Sequence, residues 1–148
     1  MSKIIKTLSA VFTLLVLVNL SYADENYYDQ AMKEFDKKKY DEAKFLLERN
    51  IVFNPKDAKS YLYLAKIFKE KENKKEEKNN LDTTLLLDPS NEDATLRLMD
   101  IAVENSNYSE VKELSEKFVK ICKSLCRKWE NFRVSKRLRA EKWLLIKT

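Results

Sequence analysis

The sequence predicts an all-α chain built from stacked helix-turn-helix pairs. Its only two prolines, Pro55 and Pro89, lie 34 residues apart. Each follows an apolar run that ends in an amide or an acid, Ile51-Val52-Phe53-Asn54 and Leu85-Leu86-Leu87-Asp88. A fixed period of this size marks a repeat stack. Glycine is absent, which disfavours the tight hairpin turns that need positive φ. From Tyr27 onward apolar residues recur at steps of three and four, the spacing of one face of a helix.

The 148-residue length suits about one domain. Without glycine the chain has neither a P-loop nor a dinucleotide-binding fingerprint. Histidine is absent too, which removes the commonest general base and a common metal ligand. Nothing in the sequence calls for a cofactor, a metal or a small-molecule substrate, and no enzymatic activity is expected.

The first 23 residues read as an export signal. Lys3 and Lys6 form a basic start, Leu8 to Leu20 is mostly apolar, and Ser21-Tyr22-Ala23 places small residues where a signal peptidase reads them. Cleavage is expected after Ala23, giving a periplasmic or secreted protein; the alternative is an uncleaved inner-membrane anchor. Residues 24–122 hold 18 basic and 22 acidic side chains, a net of −4, whereas residues 123–148 hold nine and two, a net of +7. A mildly acidic body therefore precedes a strongly basic end.

Tyr27, Tyr28, Ala31, Met32 and Phe35 mark a first helix, which Lys37-Lys38-Lys39 ends. Ala43, Leu46, Leu47, Asn50 and Ile51 mark a second, stopped at Asn54 because the residue before proline resists helical geometry. Tyr61, Leu64, Ala65 and Phe68 define a third, interrupted by the polar stretch Glu70 to Lys75. A fourth carries Leu81, Leu85 and Leu86 and stops before Pro89. Ser90 and Asp93 form a capping-box pattern for a fifth helix holding Leu96, Leu98, Met99, Ile101, Ala102 and Val103. Asn105 to Asn107 separate it from a sixth with Val111, Leu114, Phe118, Ile121 and Cys122. Each pair buries little alone, so neighbours must stack.

Tyr61-x-x-Leu64-Ala65-x-x-Phe68 resembles the first-helix pattern of the tetratricopeptide repeat family, with that pattern's later proline at Pro89. Leu98 and Met99 stand 34 residues after Leu64 and Ala65, and Tyr108 stands 68 after Tyr40. The resemblance implies a solenoid of three repeats, residues 24–57, 58–91 and 92–125, with residues 126–148 as a basic capping helix or tail. The family's small first-helix position falls on Ala31, Ala65 and Met99, and the bulk of Met99 implies looser packing in the last repeat. Glu77 occupies a second-helix position where alanine is usual. A carboxylate there requires either a slight turn of the helix or shielding by a lysine such as Lys74 or Lys78.

By the same resemblance the first helices line a groove that binds a protein or peptide partner. The positions carried over are Tyr28, Met32 and Phe35, then Leu62, Lys66 and Lys69, then Leu96, Arg97, Asp100 and Val103. The family's carboxylate clamp is not expected: Met32 and Lys66 replace its two asparagines, and only Arg97 survives. The alternative for Tyr28 and Phe35 is inward packing, as for most apolar residues at helical spacing.

Phe118, Cys122, Leu125, Trp129 and Phe132 form a stripe at steps of four, three, four and three, so the last helix is expected to continue or be followed by a cap. Arg127, Lys128, Arg133, Lys136, Arg137 and Arg139 give that segment a polar outer face, as terminal caps require. The alternative is docking on anionic lipid or an acidic partner, with Trp129 and Trp143 at the interface. Nucleic acid is not an expected partner of an exported protein. Cys122 and Cys126 are the only cysteines. Export permits a disulfide, but an internal one needs a distorted helix near Ser124, since Cβ atoms four apart on a helix sit about 6 Å from each other against roughly 3.8 Å in a disulfide. An intermolecular bridge and two free thiols are the other possibilities. The expected function is that of an exported adaptor in cell-envelope assembly or secretion; the alternative is a membrane-associated structural protein working through its basic end.

Overall fold

The computed structural model describes residues 26–127 and Glu130. The expected export signal, residues 1–23, and the tail positions Lys128, Trp129, Phe132, Arg133, Lys136, Arg137, Arg139 and Trp143 lie outside the described residues. Six helices follow one another: α1 (Tyr27–Asp36), α2 (Tyr40–Phe53), α3 (Ala58–Glu70), α4 (Lys74–Leu87), α5 (Glu92–Glu104) and α6 (Tyr108–Ile121). They pack in chain order, each against the next, α1 with α2, α3 with α4 and α5 with α6 forming antiparallel-type pairs.

Local chemistry sets the helix starts. Asn26, Asp57, Asn73, Asn91 and Asn107 each accept a backbone N–H of the first turn through the side chain; Lys39, before α2, does not. Such a cap contributes about 1 kcal/mol. The expected cap of the fifth helix is corrected here. Ser90 Oγ donates to Asp88 Oδ1 at 2.8 Å, and it is Asn91 Oδ1 that accepts from Ala94 N at 3.0 Å. The aspartate of the supposed capping box, Asp93, is engaged elsewhere.

The turn inside each pair closes in the same way. Lys38, Glu72 and Ser106, again 34 residues apart, hold φ of 60°, 57° and 57°. Behind them Lys39 N, Asn73 N and Asn107 N reach back to the carbonyls of Glu34, Phe68 and Ala102 at 2.9, 2.9 and 2.8 Å. These are Schellman closures, which ordinarily place glycine in the left-handed position. The glycine-free chain makes positive-φ turns three times over.

The core falls into two clusters that share α3. Ala31, Ala43, Leu47, Leu64 and Ile67 form one, with Tyr28, Met32 and Phe35 packed against it. Leu62 and Ala65, from the same helix, join Leu81, Ala94, Leu98, Met99, Leu114 and Phe118 in the other. Full burial of a side chain such as Leu47 or Phe118 contributes about 1.5–3 kcal/mol, so a middle helix that feeds both clusters binds the array together. The outer copy differs. Gln30 and Glu34 occupy in α1 the places held by Leu64 and Phe68 in α3, and by Leu98 and Ala102 in α5. Met99 is fully buried, and α5–α6 is the least extensive of the three within-pair contacts, as its bulk implies. Leu86, counted with the apolar residues of α4, is instead exposed.

Asn50 is more than a marker of a helix face. It is buried, and its Nδ2 donates to Asp57 Oδ2 and Ser60 Oγ, both at 2.9 Å, while Asn54 Nδ2 donates to its Oδ1 at 3.2 Å. It ties the end of α2 to the start of α3 across Pro55.

Candidate functional site: the face of the first helices

The first helices of the pairs lie side by side, as their side-chain contacts show. Tyr63 of α3 meets Tyr28 and Phe35 of α1 edge-on, with ring centroids 6.0 and 5.1 Å apart. Phe35 also packs edge-on against Tyr40, at 5.6 Å. Edge-to-face pairs of this kind add about 0.5–1.5 kcal/mol beyond their burial. Burial, followed by the influence of Tyr63, Asp57 and Asp29, pushes the Tyr28 hydroxyl up to about 12. The phenol thus stays protonated, and able to donate a hydrogen bond, throughout the ordinary pH range. Tyr28 further lines a cleft of about 690 Å³ with Asn26, Phe53, Pro55, Lys56 and Lys59, where α1 begins and α2 turns into α3.

The aromatic cluster continues into a charged one. Lys66 Nζ sits 4.6 Å from the centre of the Tyr63 ring, a cation–π contact, and 2.8 Å from Asp93 Oδ2 of α5. Arg97 Nε donates to Asp93 Oδ1 at 3.2 Å, while Arg97 Nη1 is buried with no hydrogen-bond partner among the described residues. Asp93 thereby joins a cation of the second repeat to one of the third.

Glu77 lies behind this cluster and is buried. Its burial raises the carboxyl above the usual range, against the attraction of Arg97, then Lys69, with Lys74 contributing less. The expected shielding by Lys74 or Lys78 is therefore corrected: the foremost compensating charge is Arg97, from the next repeat. Lys78 is directed to Glu110 and Asp82, at 3.0 and 3.3 Å.

Of the residues expected on the groove, Tyr28, Met32, Phe35, Lys66, Arg97 and Val103 are half-buried, and Lys69 and Asp100 are exposed. Leu62 and Leu96, at 8% and 3% exposure, are core residues. They contribute no open surface, because the second cluster closes over both. Tyr63 and Asp93 are the members that sequence reasoning missed. Tyr63 is one position from Leu62 and lies outside the Tyr61-Leu64-Phe68 stripe. Asp93 was absorbed into a cap.

At the end of the array Cys122 and Cys126 form a disulfide, with Cα atoms 5.4 Å apart. The helical stripe breaks here: α6 stops at Ile121, Cys122 is extended at φ −64° and ψ 133°, and helical geometry resumes at Cys126. No cluster of three or more potential metal ligands occurs among the described residues.

No protein-family model matches the sequence, and no curated protein matches it. Solved structures do. The second tetratricopeptide domain of Spaghetti (RPAP3), bound to an HSP90 peptide, aligns with a TM-score of 0.58 and 20% identity over 65% of this chain and 89% of its own. The tetratricopeptide domain of Sgt2 from Aspergillus fumigatus aligns with a TM-score of 0.63 and 15% identity, covering 78% and 80%. The fold is an all-α tetratricopeptide-type solenoid.

Proposed function

We propose that this protein is a non-enzymatic adaptor that holds a peptide or helix of a partner protein against the face of α1, α3 and α5. The observation that carries this reading is the unbroken run from Tyr28, Phe35 and Tyr63 through Lys66 to Asp93 and Arg97, which crosses all three pairs. Half-buried aromatics beside charged groups are the composition of binding hot spots. That one structural neighbour is a tetratricopeptide domain bound to a peptide supports peptide holding on this scaffold. The partner is one of the cell envelope or a secretion machinery, the protein acting after export. An internal disulfide supports an oxidising compartment. Residues beyond Arg127 act as the polar cap of the array; docking on an anionic membrane is the alternative for them.

The test is crosslinking in cells followed by recovery of partners with wild-type protein, Tyr63→Ala, Lys66→Glu and a chain truncated after Arg127. The two face substitutions should lower recovery of a shared envelope partner at least tenfold while the helical circular-dichroism signal is kept. Undiminished recovery with intact folding refutes the assignment of this face. Loss of partner or membrane fractionation in the truncated chain alone would transfer the function to the basic end.

A further inference from the structure

We propose that the Cys122–Cys126 disulfide is a redox-controlled hinge, which holds the chain bent after α6 when oxidised and lets α6 run on as one continuous helix when reduced. Two independent observations converge on it. First, nothing local stops the helix at Ile121. Residues 122–125, Cys-Lys-Ser-Leu, contain neither glycine nor proline, the residues that ordinarily end helices. The apolar stripe of α6 also continues in register through Cys122 and Leu125 to Trp129 and Phe132.

Second, the bend has its own acceptor. In a continuous helix the amides of Lys123, Ser124 and Leu125 would bond to the carbonyls of Val119, Lys120 and Ile121. Here the Glu92 carboxylate, at the start of α5, takes all three: Lys123 N at 3.0 Å, Ser124 N at 3.1 Å and Leu125 N at 2.7 Å, with Ser124 Oγ at 3.3 Å. Although some desolvation alone would raise it, these backbone donors hold the Glu92 carboxyl below its usual range. The bridge keeps Cys122 and Cys126 closer than helical geometry favours, so it fixes the loop that presents these amides. Sequence pattern and observed bend thus oppose each other, and the covalent link decides between them.

The chemistry is thiol–disulfide exchange with an external dithiol. One thiolate of the dithiol attacks one sulfur of the bridge, and the other cysteine sulfur departs as a thiolate and is protonated. The second reductant thiol then resolves the mixed disulfide. The bridge ends as two thiols, and the reductant, having given two electrons and two protons, ends as a disulfide. Since Cys122 and Leu125 fall on the stripe that packs the core in either geometry, the change is in the direction of the basic chain that follows.

The test compares the whole chain oxidised and reduced with dithiothreitol, by NMR. Oxidised, residues 122–125 should show non-helical Cα shifts, and the Glu92 carboxyl should titrate below the ordinary range. Reduced, those shifts should become helical, a gain of about one turn, and Glu92 should titrate normally. Glu92→Gln should lower the melting temperature by roughly 5 °C in the oxidised protein, and by less than a third of that in the reduced one. Cys122→Ser/Cys126→Ser should match the reduced form. A bend retained after reduction or in the serine variant overturns the proposal. So does a segment that turns to coil, or a general loss of helix, either of which would make the bridge a simple staple.

Discussion

Three left-handed residues in a chain without glycine give a quantitative forecast. Lys38, Glu72 and Ser106 are exposed, so replacing any of them removes little packing, and the effect should be conformational. A residue with Cβ in the left-handed region costs about 1–2 kcal/mol. Glycine escapes that term but loses about 0.5–1 kcal/mol more chain entropy on folding. The balance favours glycine by roughly 0.5–1 kcal/mol at each site. The three turns close on different carbonyls, those of Glu34, Phe68 and Ala102, so the gains should add. Lys38→Gly/Glu72→Gly/Ser106→Gly should then gain about 2 kcal/mol, or roughly 10 °C in melting temperature for an array of this size. Urea unfolding with a raised midpoint and an unchanged slope would attribute the gain to stability alone. The alanine counterparts retain Cβ and should gain nothing. Equal stabilisation by alanine and glycine, or none by the triple glycine variant, would refute the argument from backbone geometry.

Two further substitutions probe the buried polar groups. Glu77→Gln should stabilise the protein at neutral pH. Burial raises the folded carboxyl above its unfolded value, so the native state binds the proton more readily. The contribution of Glu77 is therefore most favourable below the unfolded value and is lost as pH rises through the folded one. The advantage of glutamine, measured by thermal unfolding across pH, should fade toward acid, and a pH-independent difference would contradict it. Asn50→Ala should cost about 2–3 kcal/mol in chemical denaturation, because Ser60 and Asp57 lose a donor in a largely enclosed site. A cost below about 0.5 kcal/mol would mean that water replaces the amide.

Much of the scaffold was legible because its causes are local. Proline stops at Asn54 and Asp88, helical spacing of apolar residues and asparagine before first turns all act within a few residues. They place six helices whose bounds follow the expected interruptions. The period of 34 carried the fold class, since a repeat's stacking partner is its own next copy. The candidate site was only partly legible. A period identifies a helix face but not how far neighbouring clusters close over it, so Leu62 and Leu96 were expected on the surface and lie in the core. Tyr63 and Asp93 gain their roles from residues about 30 positions away, to which no local pattern points.

By itself, then, the sequence determined the all-α repeat architecture, the boundaries of the helices and the position of the charge imbalance, because short-range sterics and apolar periodicity settle these. Only the tertiary structure decided the rest. Stacking forces Lys38, Glu72 and Ser106 into left-handed turns that their own preferences oppose. Packing of the third pair on the second brings Arg97 toward buried Glu77. The start of α5 delivers Glu92 to the three amides that a disulfide has withheld from the helix. In each case a contact distant in sequence outweighs the local preference, which is why a reading along the chain reaches the scaffold before it reaches the site.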